Sequence, residues 1–273
     1  MTIGNGSFGA LVRGNPDKEI ITLSHERLFL PEYPPTAAPD LGGNMDRIRK
    51  LTLQGKGEEA AELAVQLGVE AGIEDLIWTD PLVPACQIEM QSLDDEKVIA
   101  YGRSVNYDTG ESITAWTTEK GLYHRKAFIS RPDDLFALKF QSLDKAPINV
   151  KIRLTQLPAE DSEVNSDLED EFSGSDLIDN VTATVDKDGS LRYTTLFKKK
   201  WEGSLKGFIV EANVKTVNGN IESKDGWLLV EDADEIIILS KILLSWEHPL
   251  PTTPGLGDYT DSNYDEMLSN HHN

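Results

Sequence analysis

The 273-residue chain contains a single cysteine, Cys86. An internal disulfide is therefore impossible, and cysteine usage leaves the compartment open. No stretch approaches the ~18 consecutive apolar residues of a helical membrane span. Cations are scarce: 26 Lys and Arg face 47 Asp and Glu, for a formal net charge of −21. A surface this acidic repels nucleic-acid phosphates and anionic lipid, so neither nucleic acid nor membrane is expected as a partner. The five histidines, His25, His124, His248, His271 and His272, show no pairing with Cys or His at helical metal-ligand spacing. No zinc site and no cofactor are expected from them. There is no Gly-x-Ser-x-Gly nucleophile elbow. Cys86 has no basic neighbour in sequence and reads as a buried thiol rather than a nucleophile.

What is present is a globular pattern, with 39% hydrophobic residues in a chain long enough for a substantial core. "FGALVRG" (8–14) is expected to pair with "EIITLS" (19–24) across a turn carrying Gly14, Asn15, Pro16 and Asp17. "LPEYPPTAAPDLGG" carries four prolines and reads as a surface loop. Residues 44–71 read as two short helices. Asn44 is the N-cap of the first, Gly55 and Gly57 are breakers, and Ala60, Leu63, Ala64 and Leu67 stand at helical spacing. From about 84 to 246 short alternating runs recur with turn signals every 8–12 residues, "DKDGS", "VNGN" and "SKDG" among them. A dozen or more strands at that spacing predict a mainly β fold, a large antiparallel β-sandwich with a short helical insert. "AEDSEVNSDLEDEFSGSD" (159–176) reads as an acidic loop. At the C-terminus a Pro/Gly linker precedes "SNYDEMLSNHHN", where Tyr264, Met267, Leu268 and His271 fall at i, i+3, i+4 and i+7 and predict the start of a helix.

The opening "IGNGSFGALVRG" contains Gly-x-Gly-x-x-Gly at Gly4, Gly6 and Gly9. A dinucleotide fingerprint needs a strand before these glycines and a helix after them. Only three residues precede Gly4, and "ALVR" is too short for the helix before Gly14 and Pro16. Glu26 stands about 20 residues on, where a ribose-binding acid would be, but without the helix the position carries nothing. The later kinase motifs are absent. The glycines are read instead as a turn leading into the first strand. Asp186-Lys187-Asp188-Gly189 begins like a calcium loop but lacks the later ligands, so a hairpin turn is expected. The 159–176 stretch reads as a solvated loop in preference to a calcium site. Asn5-Gly6-Ser7 and Asn180-Val181-Thr182 fit the glycosylation pattern, which matters only in a eukaryotic secretory setting. "LSHERLFLPE" places His25, Glu26 and Arg27 between a strand and a proline-rich loop, beside Phe29 and Tyr33. Such a cluster suits a polar ligand such as a sugar, against the plainer reading of a surface ion pair.

Taken together, several segments resemble glycoside hydrolase family 95, the α-L-fucosidase-like enzymes. "IGNGSFGALVRG" resembles that family's P-I-G-N-G-x-x-G-A-M-V-x-G, and "ITLSHERLFLP" its I-x-L-N-E-D-T-L-W. "IRKLTLQGKGEEAAELA" is similar to I-R-x-L-L-x-x-G-K-x-x-E-A-x-x-L-A, and "GWLLVEDADEIIILSKI" to G-x-L-x-V-x-x-A-D-x-V-x-L-x-L. The run "YGRSVNYDTG…SRPDDLFALKF" and the tail "YDEMLSNHHN" follow in the family's order, so the resemblance spans most of residues 3–273. It implies an N-terminal β-sandwich joined by a linker to an (α/α)6 barrel that holds the catalytic residues. No catalytic residue falls within these residues, so the chain alone is expected to be inactive. Departures are visible. Ser24-His25-Glu26-Arg27 stands where Asn-Glu-Asp-Thr is common, Phe29 stands for Trp, and Cys86 and Gln87 occupy Gly and Asp positions. The family's A-L-P approach to the glycine motif has no counterpart.

The expected organisation is a sandwich over 1–250, with its helical insert at about 44–71, and a linker and helix start over 251–273 that leads to a barrel outside this chain. The expected partners are that barrel and, through the full-length enzyme, a fucosyl or galactosyl glycan. Asn5, His25, Glu26 and Arg27 are the candidates for the rim of the sugar site. The resemblance suggests secretion or a periplasmic location, although no signal peptide is read ahead of the glycine motif. The alternatives are a free-standing carbohydrate-binding sandwich, which needs an exposed platform among Trp78, Trp116, Trp201, Trp227 and Trp246, or a purely structural interaction module.

Overall fold

A computed structural model describes residues 1–34, 40–73, 80–157, 177–247, 250, 256 and 264–272. The acidic 159–176 stretch, Trp78 and most of the 251–263 linker lie outside the described residues. The chain divides into two compact units, Met1–Pro31 with Pro81–Asn273, and Glu32–Asp80.

The larger unit is a β-sandwich of two antiparallel sheets, with strands numbered along the chain. The seven-stranded sheet runs in the order β1 (Thr2–Gly4), β2 (Phe8–Val12), β3 (Lys18–His25), β4 (Cys86–Ser92), β9 (Ile148–Thr155), β14 (Trp227–Ala233), β13 (Asn220–Lys224). The eight-stranded sheet runs β10 (Ile178–Val185), β11 (Ser190–Phe197), β12 (Gly207–Val217), β15 (Glu235–Ser245), β8 (Leu135–Ser142), β7 (Leu122–Ser130), β6 (Glu111–Thr117), β5 (Ala100–Asn106). Alternation decides which side chains enter the core, because successive residues of a strand point to opposite faces. In β9, Ile148, Val150, Ile152 and Leu154 are buried while the residues between them are half-buried. Phe8, Ile21, Ile88 and Val230 of one sheet and Ile129, Phe136, Val210 and Ile238 of the other share a single interior cluster. Cys86 lies in that cluster, fully buried, and burial pushes its thiol pKa well above the usual range.

The glycine motif is a hairpin. The three residues before the turn do form a strand, β1, with Gly4 opposite Gly9 across the pair. Gly6 sits at the turn with φ +105°, a conformation that glycine adopts without strain. The stretch after Gly9 is strand β2, so the phosphate-cradle geometry is absent. Pairing of β2 with β3 is as expected, with Val12 opposite Ile21. The 186–189 turn joins β10 and β11, closed by Asp186 N–H donating to Ser190 O at 2.8 Å.

At the end of the sandwich formed by the β2–β3 turn, three consecutive carbonyls are held by side chains of the other sheet. Arg103 donates to Arg13 O at 2.8 Å, Tyr101 Oη to Gly14 O at 2.7 Å, and Arg125 to Asn15 O. Arg125 and Glu19 are both buried and 3.4 Å apart, and the guanidinium lies 4.7 Å over the Trp116 ring. Glu19 also accepts from Gly14 N–H, at 2.8 and 3.0 Å.

The smaller unit holds α1 (Met45–Leu53) and α2 (Gly57–Glu70). Gly55, at φ +77°, ends the first helix. Gly57 differs from expectation: it is the first residue of α2, where an N-terminal position tolerates glycine better than a helix interior. Asn44 precedes α1, but its side chain makes no cap bond because a short 3-10 turn (Gly42–Asn44) already leads into the helix. The unit's ends meet at Asp80, whose Oδ1 accepts from Glu32 and Tyr33 N–H, each at 3.1 Å. Among the described residues no helix is long and apolar enough to cross a membrane.

Candidate functional site

The end of the sandwich opposite the Arg125 clamp gathers the sequence candidates. It is built from the β1–β2 turn, the segment after β3, the β5–β6 and β7–β8 turns, and the chain leaving β15. Asn5 lies in the first of these turns and is fully engaged there. Its Oδ1 accepts from Ser7 and Phe8 N–H, at 2.9 and 2.8 Å. Its Nδ2 donates to Ser130 O at 3.1 Å and to Asp134 Oδ1 at 2.8 Å. Asn5 thus locks its own turn and ties it to the β7–β8 turn of the facing sheet, where Asp134 has φ +52°.

His25 ends β3 opposite Phe8. Its Nδ1 accepts from Arg27 N–H at 3.1 Å, which leaves the ring proton on Nε2, a free donor. Partial burial holds its pKa below the usual histidine value, against the raising effect of nearby Asp134. Glu26 and Arg27 are exposed. The Arg27 guanidinium lies 4.8 Å over the ring of Trp246, the residue following β15, so this cation–π contact crosses from one sheet to the other. Phe29 and Leu82, bridged to each other just beyond, are also exposed.

The C-terminal helix α3 (Tyr264–His272) is docked on the outer face of the eight-stranded sheet. Its predicted apolar positions are the ones used. Tyr264, Met267 and His271 are buried, and Leu268 packs against the same cluster. Tyr264 stacks edge-on to Phe128 at 5.1 Å, and its hydroxyl donates to the buried Glu111 at 3.0 Å. A second buried glutamate, Glu211, accepts from Leu256 N–H at 3.1 Å. Lys139 pairs with Asp265 at 2.7 Å. At the far end of α3, His271 Nδ1 accepts from Arg131 N–H at 3.2 Å. Gly110, in the β5–β6 turn, supplies the space beside His271: a Cβ there would lie 3.3 Å from Nε2. The helix therefore runs toward the same end of the sandwich that carries Asn5 and His25.

The structure sets Asn5 in the β1–β2 turn and His25, Glu26 and Arg27 at and after the end of β3. It brings to the same end Asp134, Arg131 and His271, which the sequence reading did not link to them, and Trp246, which that reading named only as one of five possible platform tryptophans. Among the tryptophans, Trp116 is buried in the core, and Trp227 is covered by Lys151 and Arg153, at 4.4 and 4.2 Å. Among the described residues no cluster of three or more His, Cys, Asp or Glu is arranged to hold a metal.

The described residues form a large two-sheet antiparallel sandwich with the helix Tyr264–His272 docked on one sheet. The chain matches the glycosyl hydrolase family 65 N-terminal domain over residues 1–243, and it belongs to that family. The resemblance to family 95 is thereby carried as far as a glycoside hydrolase N-terminal sandwich. Among solved structures it is similar to a chain assigned as a kojibiose phosphorylase from the human microbiome, with a TM-score of 0.53 and 11% identity. That similarity, which shows the fold, covers 99% of this chain and 34% of the other, so this chain spans about a third of that protein's length. No curated protein matches the chain.

Proposed function

We propose that these residues form the non-catalytic N-terminal domain of a carbohydrate-active enzyme, packing on a catalytic barrel and shaping the rim of its sugar site. One observation carries the reading. Helix α3 delivers the chain to the end of the sandwich where His25, Glu26 and Arg27 are presented, with His271 bonded to Arg131 and, in the same turn, Ser130 and Asp134 bonded to Asn5. A domain continuing from that helix starts beside these residues. Within this reading His25, Glu26 and Arg27 form the rim, and Asn5 positions the two turns beneath it.

The finer substrate assignment rests on different supports. The motif resemblance of residues 3–273 favours an α-L-fucoside or α-L-galactoside. The family-65 membership and the neighbour described as a kojibiose phosphorylase favour an α-linked disaccharide cleaved by phosphate. The test assays the 273-residue chain, and the same chain extended past Asn273, on an aryl α-L-fucoside and on an α-glucosyl disaccharide with and without phosphate. Turnover by the extended protein alone is expected, and the active substrate assigns the class. Turnover by the 273-residue chain itself would overturn the non-catalytic reading.

A further inference from the structure

The sequence left five tryptophans as candidates for an exposed platform, and the structure places one of them, Trp246, beside Arg27 at the rim end. Of the described tryptophans, Trp246 is the exposed one, with 41% of its surface open to solvent. Solvation of so much indole is unfavourable, and nothing in the interior of the sandwich requires it, because the residue follows the last core position of β15. Arg27 covers one side of the ring at 4.8 Å. The neighbours in sequence to Arg27 supply a neutral imidazole with a free Nε2 donor and an exposed carboxylate. A half-exposed indole with a guanidinium on one side, and with a carboxylate and an imidazole one and two residues from that guanidinium along the chain, suits a ring that is apolar on one face and ringed by hydroxyls, which is a pyranose.

We propose that Trp246, steadied by Arg27, is a saccharide-stacking platform at the rim. The indole takes the apolar face of one pyranose residue, and Arg27, Glu26 and His25 read its hydroxyls. The proposal rests on the reading that the sugar site lies at this end, but the platform is complete within these residues and is testable without a catalytic domain. The 273-residue chain is titrated with an α-L-fucosyl oligosaccharide and with an α-glucosyl disaccharide. The indole N–H resonances are followed by NMR, and thermal midpoints are recorded for every variant.

A saturable shift of the Trp246 resonance is expected with at least one of the two sugars. Trp246→Ala abolishes it, Arg27→Ala weakens binding roughly three- to tenfold, and Trp246→Phe restores much of it. All three variants keep the wild-type thermal midpoint to within a few degrees. Absence of any shift at millimolar sugar, or binding unaffected by Trp246→Ala, overturns the platform. If Trp246→Ala instead lowers the thermal midpoint of the extended protein and leaves its KM unchanged, Trp246 is a domain-packing residue, and the proposal fails while the rim reading stands.

Discussion

Truncation of Tyr264 tests how firmly the exit helix is held. The ring is 1% exposed and packs on Phe128, and its hydroxyl donates to a buried carboxylate. Replacing a buried aromatic by alanine costs about 3–5 kcal/mol, and losing a hydrogen bond to a charged acceptor costs about 1.5–3 kcal/mol. A helix of nine residues has little stability of its own. The loss in Tyr264→Ala therefore exceeds what remains to hold α3, and the helix detaches while the two sheets, whose interior cluster is separate, stay folded. Amide exchange over 265–271 is expected to accelerate about a hundredfold or more, while exchange in β8 and β15 changes little. Tyr264→Phe keeps the ring packing and gives a smaller effect. Lys139→Ala loosens α3 less than Tyr264→Ala does, because the carboxylate it holds on the helix, Asp265, is 69% exposed, while its second partner, Glu235, belongs to β15. Retained protection of α3 in Tyr264→Ala, or a cooperative loss across the whole sandwich, would refute the reasoning.

Three further outcomes follow from the buried groups. Arg125→Met strands Glu19 as a buried carboxylate, whose pKa is already raised by burial. It should cost about 3–5 kcal/mol in urea unfolding, with much of that recovered in the Arg125→Met/Glu19→Gln double variant. Gly207→Ala places a Cβ 2.2 Å from Thr195 O in the neighbouring strand, and should destabilise by about 1–3 kcal/mol, measured the same way. His25 and His124 both have pKa values held down by burial, so the unfolded chain binds protons that the folded chain refuses. The stability these two histidines contribute should be full above about pH 6.5, fall as pH drops below that, and change no further once their lower folded values are passed. A pH series of thermal midpoints on wild type and His25→Gln checks the sign.

Alternation and turn chemistry made the two-sheet architecture legible, because strands such as Ile148–Thr155 put every second residue into the core. The exit helix was legible for the same reason at period 3.6, with Tyr264, Met267 and His271 landing on one buried face. Strand β13, "NIESK", escaped notice because it is five residues long and mostly polar, and its place is set by pairing with β14. Strand β1 escaped because three residues carry no period. Sheet order was not legible, since the pairings of β4 with β9 and of β15 with β8 join segments distant in sequence. Buried charges were not legible at all. Glu19, Arg125, Glu111 and Glu211 look like surface residues until the partners that neutralise or bond them are brought up by other strands. The candidate site shows the same limit: "SHER" stood out by composition, but Asp134 and Trp246 join it from 109 and 219 residues away along the chain.

The central claim is that the end of the sandwich reached by α3 faces a sugar site completed by a catalytic domain. The most direct measurement compares steady-state kinetics of the protein extended past Asn273 carrying Glu26→Gln or Arg27→Ala with Lys120→Ala, which lies at the opposite end beside Asp94 and Glu96. The account predicts KM raised several-fold by either rim substitution and unchanged by Lys120→Ala, with all three proteins folded. Equal kinetics for rim and far-end variants would contradict it.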